Sequence, residues 1–173
     1  MIKLGENATG VKSFKIDHRR LRPGLYSDTK AYSGRCITTI DMRLVQPNSD
    51  DNPPLSTAAM HTIEHLGANY LRSNKEWEKA IIYFGPMGCR TGFYAVLDGP
   101  HPSVEQRTRH LFLAMAKHIV EWPEDKPIPG ATEEECGNYR DHDIQGAKAA
   151  MQKWLEVFDM EKEPNYYPFS YPE

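Results

Sequence analysis

Between Gln46 and Pro54 the stretch QPNSDDNPP interrupts the chain, and the hydrophobic period differs on its two sides. On the N-terminal side, CITTIDMRLV (residues 36–45) sets Cys36, Thr38, Ile40, Met42 and Leu44 against Thr39, Asp41 and Arg43. A period of two with β-branched enrichment predicts a strand. On the far side, Leu55, Ala58, Ala59, Thr62, Leu66 and Tyr70 recur at helical spacing and define one buried stripe. The paired prolines are tolerable at a helix start, where their missing N–H groups have no intrahelical partner anyway. The chain must therefore turn a half-buried strand into an amphipathic helix across one polar loop.

The rest continues in the same mixed manner. AIIYF (residues 80–84) and TGFYAVLD (residues 91–98) read as strands flanking GPMGCR. Ser103 opens a second helix, with Gln106 placed for a capping box and Val104, Leu111, Met115 and Ile119 on its core face. A third helix spans residues 144–158, with Ile144, Ala147, Met151, Leu155 and Phe158 inward. Without regular strand–helix–strand alternation, the expected class is α+β: helices packed on a largely antiparallel sheet. At 173 residues one domain is expected, with residues 159–173 as an irregular, proline- and tyrosine-rich arm.

Composition excludes several function classes. A net charge of −3 with no Lys/Arg-rich run offers no field for nucleic acid. The longest apolar runs fall far short of the roughly 20 residues that cross a bilayer, so no membrane role is expected. MIKLGENATGVKSFKI lacks the apolar core of a signal peptide, which points to the cytoplasm. Three cysteines, Cys36, Cys89 and Cys136, do not make a disulfide framework, so a special cysteine is a ligand or a reactive group.

The helix after the loop carries HTIEH, residues 61–65. At about 100° per residue, His61 and His65 fall together at the edge of the buried stripe, and Glu64 lies on the neighbouring flank. Imidazoles at i and i+4 can hold one ion because the helix fixes their separation. A third ligand must come from elsewhere, and a catalytic site leaves the fourth position open. Cys36, mid-strand, reads as a small buried hydrophobe. Cys89 in GPMGCRTG and Cys136 in EEECGNY both adjoin glycine, and residue types alone do not choose between them. Two nitrogens and one sulfur suit zinc or ferrous iron rather than magnesium or calcium. Among the other histidines, His110 and His118 read as solvated, His101 sits in a turn, and His142 reads as a capping residue or a support for a ligand. The order H-x-x-E-H is that of the inverted zinc peptidases, whose motif glutamate activates water. A zinc-stabilised interaction domain with four protein ligands is a further, non-enzymatic reading.

The full set of motifs is more specific. HTIEH, GPMGCRTGFY and EECGNYRDHDIQGAK, in that order, with SFKIDH (residues 13–18) and IDMRLVQPN (residues 40–48) upstream, resemble the S-ribosylhomocysteine lyase (LuxS) family over about residues 12–155. The resemblance implies a metal held by His61, His65 and Cys136, and an acid–base pair of Cys89 and Glu64. Ser13, His18 and Arg43 match positions of the family's substrate site. Read from its strand alone, Arg43 is a solvated arginine. The resemblance further implies a homodimer with active sites at the interface, and one divalent transition metal per subunit: Fe2+ in the cell, with Zn2+ or Co2+ as substitutes. Tyr83 and Gly85 depart from some relatives, which carry an acidic residue and a serine shortly before PMGC, so contacts from that segment do not transfer.

The implied reaction cleaves the thioether of S-ribosylhomocysteine to homocysteine and 4,5-dihydroxy-2,3-pentanedione, the precursor of autoinducer-2. A thioether sulfur leaves readily only when a carbonyl stands two carbons away. Successive proton transfers along the open-chain sugar bring the carbonyl there, and β-elimination follows. The metal's part is that of a Lewis acid. Two groups of different intrinsic pKa, a thiol and a carboxyl, suit the removal and return of protons at adjacent carbons.

Overall fold

A computed structural model describes residues 16–99 and 104–158. Four strands, β1 (Gly24–Tyr32), β2 (Arg35–Arg43), β3 (Ile81–Pro86) and β4 (Gly92–Asp98), form one sheet in the order β1-β2-β4-β3. Every neighbouring pair is antiparallel. Three helices, α1 (Thr57–Ser73), α2 (Val104–Val120) and α3 (Ile144–Glu156), complete the α+β fold. Among the described residues, no helix is long and apolar enough to cross a membrane.

β1 escapes the sequence reading because its alternation is weak: GLYSDTKAY offers few large apolar residues. The better signal is the turn that follows. Ser33 and Gly34 both take positive φ, 49° and 79°, and join Tyr32 to Arg35 as a two-residue hairpin. Such a loop matches the strands' right-handed twist, and glycine adopts that φ without steric cost. β3 carries a bulge between Ile81 and Tyr83, which leaves Ile82 and Tyr83 exposed at the sheet's edge.

The helices pack on one face of the sheet. Leu25, Ile40, Met42, Phe84, Phe93, Ala95 and Leu97 point into a core shared with Ile63, Leu66, Phe112, Met115 and Met151. Ser56 caps α1, its hydroxyl accepting the Ala59 N–H at 3.1 Å. The buried stripe of α1 is rotated from the one expected. Met60, Ile63 and Leu71 join Ala59, Thr62 and Leu66 inside, whereas Leu55, Ala58 and Tyr70 are half-buried. That rotation is the price of seating α1 closely on β3, where Gly67 lies so near Phe84 that a Cβ would come within 2.6 Å of its ring.

Leu111, Met115 and Ile119 are buried on α2 as their spacing requires. The expected Ser103–Gln106 capping box and the side chain of Val104 lie outside what the structure describes, as do His101 and residues 159–173. On α3, Trp154 is fully buried and donates its indole N–H to the Arg43 carbonyl at 2.9 Å, pinning the helix to the end of β2. His118 is not simply solvated: it is half-buried, with its ring 4.9 Å from Tyr70 and 5.3 Å from Trp122.

Candidate active site

α1 presents His61 and His65 one turn apart, and residues 121–143 wrap around them. His61 donates its Nδ1–H to the Asp141 carbonyl at 2.9 Å, and His65 donates its Nδ1–H to the Pro129 carbonyl at 2.7 Å. A carbonyl can only accept, so each ring carries a proton on Nδ1, which leaves Nε2 as the atom that can face a metal. The same residues deliver the third donor. Cys136 closes a turn from Thr132, and its sulfur lies 3.2 Å from His61 Nε2. The Asn138 N–H points at that sulfur from 3.4 Å.

His61, His65 and Cys136 thus offer ligand atoms all within 4.8 Å of one another. Two imidazoles with their outer N–H groups anchored, and one sulfur, form a donor set that fits a divalent transition metal. The thiol that converges with the histidines is that of Cys136.

The three residues line a cavity of about 620 Å3 that also takes in Glu64, Arg72 and Tyr83. Glu64 therefore shares the cavity with the three candidate ligands. Beyond it, the wall is formed by the last turns of α1 and by the bulged edge of β3.

Cys89 is not among the residues lining that cavity. It sits in the turn between β3 and β4 with its own surroundings. Its sulfur lies 3.0 Å from the Thr91 hydroxyl and 3.8 Å from Arg43 Nη1. Burial pushes the thiol up; hydrogen bonds from the Thr91 side chain and backbone, with the Arg43 charge, outweigh it and hold Cys89 below the ordinary thiol value.

Arg43 corrects the reading of a solvated strand arginine: it is 2 % exposed. Its guanidinium donates to Asp41 Oδ2 at 2.6 Å and to the Thr91 hydroxyl at 2.5 Å. In register, Arg43 stands between Gly24 and Gly92, which bring no side chain to compete for the space. Asp41 stands between Tyr26 and Tyr94. Burial and the Asp41 charge together push the Tyr94 hydroxyl up.

The sequence had one trace of this arrangement: Asp41 and Arg43 occupy alternate positions of one strand and so share a face. Nothing local singles out Thr91.

His18 is half-buried and donates its Nδ1–H to the Ile16 carbonyl at 2.9 Å. Its segment is tied to the end of β2 by Gln46, which donates to the Arg19 carbonyl at 2.9 Å. Ser13 lies outside the described residues. Cys36 is half-buried in β2. His142 is not the cap of α3; Asp143 is, accepting the Gly146 N–H at 2.8 Å. The His142 ring lies against those of His61 and His65, and burial, followed by the charges of those two neighbours, holds its pKa down at about 4.

The chain is similar along most of its length to one family of known proteins. Residues 11–164 match the family model described as S-Ribosylhomocysteinase (LuxS). A protein of Borrelia garinii subsp. bavariensis named S-ribosylhomocysteine lyase is 44% identical over 160 residues, covering 91% of this chain and 98% of its own. Proteins of the same name from Finegoldia magna and Clostridium acetobutylicum are 42% and 38% identical, covering 91% and 94% of this chain and 97% and 98% of their own. With a match across most of its length, the chain belongs to the S-ribosylhomocysteinase (LuxS) family.

Proposed function

We propose that this protein cleaves the thioether of S-ribosylhomocysteine, releasing homocysteine and 4,5-dihydroxy-2,3-pentanedione. The observation that carries the proposal is the convergence of His61, His65 and Cys136 on a cavity shared with Glu64, in a chain of this family. A divalent transition metal held by those three side chains, ferrous iron in the cell with zinc or cobalt as substitutes, supplies Lewis-acid polarisation of the sugar's oxygens. Glu64 takes and returns protons on the sugar carbons within the cavity. Cys89, kept toward its thiolate by Thr91 and Arg43, is the second acid–base group. In the last step one base removes the proton α to the migrated carbonyl, the carbon–sulfur bond breaks, and homocysteine leaves as a thiolate that takes up a proton.

The two halves of this machinery occupy different places on one chain, since Cys89 does not line the cavity that holds Glu64. We place them together through a homodimer, with the Cys89 cluster of one subunit facing the cavity of its partner. The sheet supplies a surface for this: the face away from the helices carries Ile37, Thr39, Tyr94 and Val96, all half-buried, with no helix packed over them among the described residues. The three cysteines are free, which suits a reducing cytoplasm.

Incubation with S-ribosylhomocysteine should release free thiol in a manner dependent on Cys89 and Glu64. No thiol release, with cleavage of a peptide panel instead, would favour the inverted zinc peptidase. The shared site has its own test. Mixing the Cys89→Ala and Glu64→Gln variants regenerates one intact site in each mixed dimer, so about a quarter of wild-type activity should return if subunits exchange. If both residues act from one chain, mixing restores nothing.

A further inference from the structure

Thr62 lies on α1 between the two histidines, and its hydroxyl is fully committed. It donates to the Ala58 carbonyl at 2.9 Å and accepts the Asp143 N–H at 2.9 Å. The remaining contact, 3.2 Å to His142 Nδ1, must therefore be one the hydroxyl accepts, because its single proton is already used. His142 is thus held as the Nδ1–H tautomer. Its Nε2 is buried and has no hydrogen-bond partner among the described residues.

The ring so anchored lies almost flat on His61, with centroids 4.2 Å apart and planes 14° from parallel. It meets His65 edge-on, at 5.0 Å and 83°. His61 is held at two ring-edge nitrogens, its Nδ1–H reaching the Asp141 carbonyl and its Nε2 lying 3.2 Å from the Cys136 sulfur. Neither contact, made at a ring-edge nitrogen, opposes a swing of the ring out of its plane. A flat ring against its face removes the swing.

We infer that His142 is a positioning residue for the metal ligand His61, bracing its ring by stacking while Thr62 fixes His142 in turn. The inference rests on the reading of His61, His65 and Cys136 as a metal site. It assigns a task to the DHD segment, which joins the residues carrying Cys136 to α3. His142 and Asp143 both anchor on Thr62, so one hydroxyl ties this segment to the helix that bears the two histidine ligands.

Two variants separate the ring from its anchor. His142→Phe keeps a flat ring and loses the Thr62 hydrogen bond; His142→Asn keeps a donor for Thr62 and loses the ring. The metal-free proteins are titrated with cobalt(II) against a chromophoric chelator, and the visible spectrum of the bound cobalt is recorded. His142→Asn is expected to weaken cobalt binding by about 10- to 100-fold, the usual scale for residues that orient a metal's ligands, and to alter the spectrum. His142→Phe should retain near-wild-type affinity and spectrum. Wild-type affinity and spectrum in His142→Asn would overturn the inference, as would a loss in His142→Phe equal to that in His142→Asn. Failure of the unaltered protein to bind cobalt would remove the metal site, and this inference with it.

Discussion

The two reactive clusters of this chain are built by opposite means. Around His61 and His65 the supports are neutral: backbone carbonyls of Asp141 and Pro129, a stacked imidazole and a threonine hydroxyl. Around Cys89 the support is a buried ion pair, Arg43 with Asp41, both less than 3 % exposed. The difference suits the roles proposed for the two clusters. Metal-binding imidazoles have to stay unprotonated and correctly aimed, and a neutral hydrogen-bonding frame does both without adding charge beside a cation. A thiol that works as a base has to be drawn toward its anion, which a nearby cation achieves. That cation is itself buried, and Asp41 offsets its desolvation.

The contrast is broken most severely by exchanging the two cysteines' fates. Cys136→Ala should reduce bound metal from about one per chain to near zero by elemental analysis, whereas Cys89→Ala should keep the metal and lose thiol release by about a hundred- to ten-thousand-fold. Metal loss in Cys89→Ala instead would mean that the roles are reversed. Arg43→Met comes next. It strands Asp41 as an unpaired buried charge and should cost about 3–5 kcal/mol in urea unfolding. A loss below 1 kcal/mol would show that the ion pair is not what holds this end of the sheet.

Gly67→Ala tests the seat of α1. The added methyl meets the Phe84 ring and should cost about 1–3 kcal/mol by overpacking, with cobalt affinity kept if the carbonyl frame of the histidines holds on its own. The smallest effect is a shift in pH. Cys89 is an acid whose pKa is lowered in the fold, so its thiolate persists above that pKa and is lost as pH falls through it. Thr91→Val removes a stabilising hydrogen bond, so alkylation of Cys89 by iodoacetamide should fade at a higher pH than in the unaltered protein. An unchanged profile would leave Arg43 as the dominant influence.

Legibility differed between the clusters as well. His61, Glu64 and His65 were readable because their relation is local: helical spacing alone puts the two histidines together and Glu64 on the neighbouring flank. β2, β3 and β4 were readable from alternation and the turns between them, while β1 was missed for want of large apolar residues and betrayed itself only through Ser33-Gly34. The inward face of Trp154 and the rotated stripe of α1 were not readable. The stripe of α1 answers to how closely Gly67 lets that helix approach Phe84, and Trp154 to the distant Arg43 carbonyl that its indole reaches.

The sequence by itself determined the α+β class, the pair of imidazoles, and a family resemblance that named Cys136 as their partner. Only the tertiary structure decided that Arg43 is buried with Asp41, that Thr91 stands beside Cys89, and that Cys89 lies outside the cavity lined by His61, His65 and Cys136. The reason is the span of the contacts. Cys136 meets His61 across 75 positions, Arg43 meets Thr91 across 48, and Trp154 reaches Arg43 across 111. Periodicity reports which way a side chain faces within its own element; what it faces is set when distant elements pack.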